Sequence, residues 1–225
     1  MSIGRAGRVP VQLCPRLTLR VYCRSHFLQH GWAIAGSIVM QQDRPPLVQN
    51  LAIYRVDPSY RGRSRYFVQL WWIVQATLFR GSPQVLYGFR RWILKFFGAQ
   101  IGVGAKLRSS VTITYPWKVT IGDYSQIGDD VVLYSFAPIT IGNHVVVSQK
   151  SYLCSGTHDF RAPTFDIQSA PIVIEDEAWL AADTFVAPGV TVGRGTVVGA
   201  RSSVFSNLPP MMICTGSPAR PVRAR

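Results

Sequence analysis

Long apolar runs are missing from this sequence: no segment reaches the roughly 18 uninterrupted apolar residues that cross a bilayer, which points to a chain that is soluble or lies on a membrane. Cysteine is scarce. Cys14, Cys23, Cys154 and Cys214 form no C-x-x-C pair and have no His at zinc-finger spacing, so neither a disulfide framework nor a structural zinc site is expected, and a reducing cytoplasm fits. Acidic residues are scarce on one side. Residues 1–100 hold 14 Lys or Arg against 2 acids, whereas residues 101–225 hold 10 against 9. The net charge of +13 therefore belongs to an N-terminal appendage, and the remainder does not carry the basic surface of a nucleic-acid binder.

What is present is enough for one main domain: 225 residues, 48% hydrophobic and 12% aromatic. From residue 101 onward the chain repeats. Segments beginning Ile101, Ile121, Ile141, Ile174 and Val192 start alike, at separations of 20, 20, 33 and 18 residues. Steps of six inside each segment reach Ile101, Leu107, Ile113; Ile121, Ile127, Leu133; Ile141, Val147, Leu153; Ile174, Leu180, Val186; and Val192, Val198, Val204, all aliphatic. Four residues after each comes Ala, Ser, Thr or Val, except at Trp117 and Leu208. A period of six over three sides predicts a parallel β-helix of about five triangular coils, stacked at the ~4.8 Å strand spacing. Two extra residues sit at corners near Val119 and Ile139, and the separation of 33 leaves a 15-residue excursion, residues 159–173, directly after His158. A loop that long in a regular solenoid is usually functional.

Four stretches, S-Q-K-S-Y-L-C-S-G-T-H-D (148–159), D-E-A-W-L-A-A-D-T-F-V-A-P-G-V-T-V-G (176–193), V-V-G-A-R-S-S-V (197–204) and G-S-P-A-R (216–220), resemble the hexapeptide-repeat acetyltransferases. The likeness runs from about residue 66 to the end and is nearest to the colanic-acid and exopolysaccharide O-acetyltransferases, beside the maltose, galactoside and nodulation-factor enzymes. It implies an all-β, left-handed β-helix, acetyl-CoA as co-substrate, a sugar or lipid-linked oligosaccharide acceptor, no metal, and a homotrimer with sites between subunits. It also implies that His158, in T-H-D, is the catalytic base. A neutral imidazole can take the proton of an acceptor hydroxyl as that oxygen attacks a thioester.

For coenzyme A the resemblance implies Trp179 as a wall at the thiol end, Ala182 and Ala200 as small residues admitting the pantetheine arm, and Arg201, Arg220 and Arg223 for the phosphates. Repeat geometry alone would equally supply those alanines, and a solvated tail those arginines. The asparagine that many relatives carry one coil before the histidine falls at Gly128, so Asp130 is the substitute. Asp159 and Phe160, opening the excursion, are further acceptor contacts. The T-K-D that often follows the last coil reads F-S-N, Phe205 to Asn207. His144, His26 and His30 are read as ordinary.

Ahead of the repeat, Tyr66–Phe79 reads as an apolar helix stopped by Arg80, Gly81 and Pro83. Val85, Leu86, Phe89, Trp92, Ile93, Phe96 and Phe97 recur at helical spacing with Arg90, Arg91 and Lys95 mostly between them, a basic amphipathic helix. Residues 46–100 therefore form a helical cap over the open end of the β-helix, an anchor on an anionic membrane surface through residues 61–97, or both. Residues 1–45 are expected to be disordered or an extension upstream of a native start at Met40. Their short apolar patch, Trp32 to Met40, imitates a signal peptide, but coenzyme A is a cytoplasmic supply, which favours a cytoplasmic or peripheral inner-membrane protein. Two other readings keep the fold: a non-enzymatic membrane-associated scaffold, and a metal enzyme, which His144 and His158 alone support poorly.

Overall fold

The computed structural model describes residues 47–225, and the expectations for residues 1–45, including His26, His30, Cys14, Cys23 and the start at Met40, lie outside them. The aliphatic positions of the repeat stand in three columns. On the first face Ile101, Ile121, Ile141, Ile174 and Val192 pair in register, parallel, from coil to coil. The second face aligns Leu107, Ile127, Val147, Leu180 and Val198, and the third Ile113, Leu133, Leu153, Val186 and Val204. All are buried, so a left-handed triangular prism encloses one continuous aliphatic core. The count rises from five coils to about six. Leu208, an exception to the small-residue rule, bridges to Val192 on the first face, and Cys214 pairs with Val198 on the second. The strand Met212–Gly216 then turns back on itself through Ala219–Ala224, which covers the last edge.

The I-G-D and I-G-N openings at Ile121 and Ile141 have a physical cause. A Cβ at Gly122 would lie 2.6 Å from Asn143 Oδ1, because the side chain after each glycine receives the backbone of the coil before it. Val103 N donates to Asp123, Asp123 N to Asn143, and Asn143 N to Asp176, at 2.7–2.8 Å. A small hydroxyl residue closes the same corner from inside. Ser125 Oγ donates to Gly142 O and accepts from Val145 N, so the buried hydroxyl is satisfied.

Two helices precede the prism: α1 (Arg65–Val74), prolonged by a π-helical turn Gln75–Phe79, and α2 (Tyr87–Phe96). Ser64 caps α1 by accepting from Phe67 N. Both helices treat the first coil as a sheet edge. Trp71 Nε1 donates to Ile113 O (2.8 Å), and Gln75 Oε1 accepts from Ile113 N (2.7 Å). Arg91 Nη1 reaches Ala105 O at 2.9 Å. Backbone groups that a preceding coil would have paired are thus occupied by side chains.

Arg90 departs from the sequence reading. It does not lie on a solvated basic face but is fully buried, donating to Leu107 O, Ser82 Oγ, Pro83 O and Gln84 O. Burial pushes its guanidinium below the ordinary arginine value. Conversely Val85, Trp92 and Phe96, read as the packed stripe, are more than half exposed, and only Ile93, Leu94 and Phe97 of that helix's apolar residues are buried.

Candidate functional site

After Leu153 the third coil abandons its period. Ser155, two residues on, turns inward at the corner, where its hydroxyl accepts from Ala137 N and has Tyr134 O (2.8 Å) and Ala137 O (3.0 Å) within reach of its one proton. Thr157, which the period would have buried, is exposed. The chain leaves as a hairpin of two antiparallel arms, Gly156–His158 and Ile167–Ser169, with residues 159–166 at its tip. It re-enters through Ala170 N to Ser155 O and Ile172 N to Pro138 O. The excursion thus starts at residue 156, and Ile172 and Val173 already belong to the first face.

His158 ends the outgoing arm, half-buried, with Nδ1 2.9 Å from Phe165 O. A carbonyl only accepts, so Nδ1 carries the proton and Nε2 is left with a free lone pair, the arrangement of a general base. Phe165 holds this carbonyl from a left-handed backbone conformation, φ 51°, uncommon for an aromatic residue. Its ring lies parallel to the imidazole at 4.3 Å, and Tyr54 approaches the same ring at 5.7 Å.

The other expected residues are distributed over the prism. Asp159 Oδ1 accepts from Arg161 N and so shapes the hairpin tip, while Phe160 points outward, 71% exposed beneath the Arg161 guanidinium. Trp179 stands on the second face, its ring partly exposed and its Nε1 donating to Ser148 Oγ at 2.9 Å. Ala182, Ala200 and Arg201 gather at the corner between the second and third faces, where Arg201 N donates to Ala182 O. Arg201 lies 3.6 Å from Asp183, with both side chains well exposed. Asp130 occupies the same corner in the second coil; its neighbour Asp129 is paired with Arg108 at 2.8 Å. Arg220 Nη1 donates to Ser206 Oγ, and Arg223 lies opposite Ile213 on the closing strand.

One chain therefore does not bring the residues expected to hold coenzyme A to His158: Trp179 lies on the second face, and the hairpin leaves the corner after the third. The corner carrying Asp130 and Lys150 is flanked by two grooves. One, of about 570 Å³, is lined by Lys106, Arg108, Gly128, Asp130, Ser148 and Lys150. The other, of about 430 Å³, is lined by Lys150, Tyr152, Cys154, Asp183, Thr184 and Phe185. Burial pushes the Cys154 thiol up and the Tyr152 hydroxyl up to about 12, so both stay protonated at neutral pH. Cys154 is thus no ready nucleophile. Among the described residues no three His, Cys, Asp or Glu lie close enough to hold a metal. His144 sits at an outward corner, φ 55°, stacked on Tyr124. Phe165 was expected only as one of the excursion's apolar residues and not as the partner of His158, and Tyr54 was not foreseen, because it lies outside the repeat and only the folded chain brings it to His158.

No family model matches the chain. It is 56% identical over 178 residues to WcaF of Escherichia coli (strain K12), an acetyltransferase assigned to colanic acid biosynthesis, a match covering 79% of this chain and 98% of that one. It is 26% identical over 137 residues to the galactoside O-acetyltransferase of the same organism, covering 60% of this chain and 68% of that one. Among solved structures, the hexapeptide-repeat acetyltransferase VCA0836 of Vibrio cholerae, complexed with acetyl coenzyme A, superposes with a TM-score of 0.64 at 26% identity, covering 71% of this chain and 87% of that one.

Proposed function

The chain belongs to the hexapeptide-repeat acetyltransferases of the colanic acid type, and from that premise we propose that it transfers acetyl from acetyl-CoA to a sugar hydroxyl in exopolysaccharide assembly, with His158 as general base. The observation that carries the assignment of the base is the free Nε2 left by the Nδ1–H to Phe165 O bond. Nε2 takes the acceptor hydroxyl's proton as the oxygen attacks the thioester carbonyl, and the imidazolium returns that proton to the departing thiolate as the C–S bond breaks. The Phe165 carbonyl, aimed at Nδ1–H, stabilises the transient positive charge. No covalent enzyme intermediate is required, in keeping with the protonated Cys154.

The acceptor is a sugar or a lipid-linked oligosaccharide, with Asp130, Asp159 and Phe160 beside it. Trp179, Ala182 and Ala200 take the thiol end and the pantetheine arm, and Arg201, Arg220 and Arg223 the phosphates. Since a single chain holds these residues away from His158, the complete site forms between copies, and the assembly is a homotrimer. The reaction runs in the cytoplasm, where acetyl-CoA is supplied. Among the described residues no helix is long and apolar enough to cross a membrane. The outward residues of the two helices, among them Tyr66, Ile73, Trp92 and Phe96, favour a place against the anionic inner membrane surface.

The test is thiol release from acetyl-CoA in the presence of oligosaccharides cut from the host's own exopolysaccharide and stripped of acetyl groups by mild alkali. Acetylated oligosaccharide should appear in step with free thiol. Thiol release that is no faster with the oligosaccharides than without them would count against a sugar acceptor.

A further inference from the structure

The segment leading into α1 crosses the hairpin that carries His158. Asn50 N donates to Pro163 O at the hairpin tip (2.8 Å), and Tyr60 Oη donates to Ile167 O on the returning arm (2.7 Å). Between them the Tyr54 ring lies against the imidazole, centroids 5.7 Å apart and planes at 57°. The far end of this strap is fixed to the first coil. Trp117 Nε1 donates to Arg61 O at 2.7 Å, and Lys118 Nζ bonds both Tyr60 O and Phe136 O.

The hairpin has little else to hold it. Its arms pair over three residues each, and an isolated two-stranded hairpin is at best marginally stable in water. Among the described residues every hydrogen bond of the tip, residues 159–166, closes within the hairpin except the one from Asn50 to Pro163. The imidazole has one hydrogen bond, through Nδ1, about which it could pivot, and Phe165 and Tyr54 are the rings that limit that motion.

We infer that the strap, residues 50–60, sets the catalytic geometry of this hairpin, with Tyr54 as a positioning residue for His158 and with Asn50 and Tyr60 as its ties to the hairpin. The inference rests on His158 being the base. Displacing a catalytic group by about 1 Å can lower turnover about 100-fold, so a tether of this kind acts on kcat, while the residues proposed to hold coenzyme A, none of which the strap touches within one chain, keep its binding.

Steady-state kinetics of Tyr54→Ala, Tyr54→Phe, Tyr60→Phe and His158→Ala, with acetyl-CoA and the de-acetylated oligosaccharides, test it. Tyr54→Ala should lower kcat about 10- to 100-fold while KM for acetyl-CoA stays within about twofold. Tyr54→Phe, which keeps the ring, should restore most of the rate, and Tyr60→Phe, which removes one tie, should lower kcat several-fold with the thermal midpoint unchanged. Should Tyr54→Ala destabilise the protein, Tyr60→Phe carries the test alone. The inference is overturned if His158→Ala is inactive while Tyr54→Ala and Tyr60→Phe turn over normally. It is overturned equally if Tyr54→Ala raises only the acceptor's KM, for Tyr54 is then a sugar contact. Normal turnover in His158→Ala is a different failure, that of the base itself.

Discussion

At the scale of single residues, the proposed chemistry turns on one proton. Phe165 O fixes it on Nδ1 of His158 and leaves Nε2 for the proposed role of base. His158→Ala should lower turnover about 10²- to 10⁴-fold with acetyl-CoA affinity largely kept, measured by thiol-release kinetics beside calorimetric titration of acetyl-CoA. Near-normal turnover would remove His158 from the mechanism. Arg90 is the corresponding residue for stability. Buried with no carboxylate partner, it distributes its donors over three carbonyls and Ser82 Oγ. Arg90→Met would leave Leu107 O and Ser82 Oγ, which lie in buried residues, without this donor, at a cost of about 1–3 kcal/mol for each group left unsatisfied. Urea unfolding should show a loss of at least about 2 kcal/mol. Arg90→Lys should recover only part of it, because an ammonium cannot span the fork.

Elements come next, and the hairpin is the one that breaks the rule of the repeat. The coils on either side of it stack without its help: Ile139–Ile141 pairs with Ile172–Ile174, and Tyr152–Cys154 with Phe185–Val186, across the excursion. Replacing residues 156–169 by a short Gly-Ser turn should therefore leave the far-ultraviolet circular dichroism and the cooperative melt of the β-helix in place. Acetyl transfer should be lost with His158 and the acceptor contacts of the tip. Transfer at an unchanged rate would make the hairpin decoration. The helices show the complementary behaviour. α1 buries Val68 and Trp71, the latter bonded to the first coil, and holds Tyr66, Leu70 and Ile73 exposed at spacings of four and three. α2 buries Ile93 and Leu94 and exposes Trp92 and Phe96, stacked at 6.0 Å.

For the whole molecule, two expectations concern what lies outside a single chain. Light scattering should give three times the chain mass, and an active monomer would refute the shared site, because one chain keeps Trp179 and His158 on separate sides of the prism. Flotation should carry the full chain with phosphatidylglycerol vesicles and not with phosphatidylcholine vesicles, and Trp92→Ser with Phe96→Ser should weaken that binding about 10-fold or more. Residues 47–100 hold eight Lys or Arg and one acid, so the attraction should fade as salt rises. Equal binding to both lipids, or none, would reassign those exposed rings to a contact between copies.

The prism was legible in the sequence because a solenoid repeats its environment. Each of Ile101, Ile121, Ile141, Ile174 and Val192 meets the same neighbours one coil away, so one spacing rule writes itself into the chain many times. His158 was legible through T-H-D, set where the period fails. Features that occur once were not. Nothing in the helical spacing told Arg90 from Arg91, yet the first is buried and the second reaches the coil edge from the surface, because a guanidinium's placement depends on which carbonyls the packed helix finds. Tyr54 and Tyr60 carry no periodic signal, and their contacts with the hairpin of His158 span up to 107 residues of sequence. The sequence by itself determined the coil, its core and the histidine at its broken corner, since local spacing decides what a repeating unit buries. Only the tertiary structure decided the tautomer of that histidine and the strap that crosses it, since the first depends on how the hairpin tip aims Phe165 O back at the imidazole and the second on atoms brought together from distant parts of the chain.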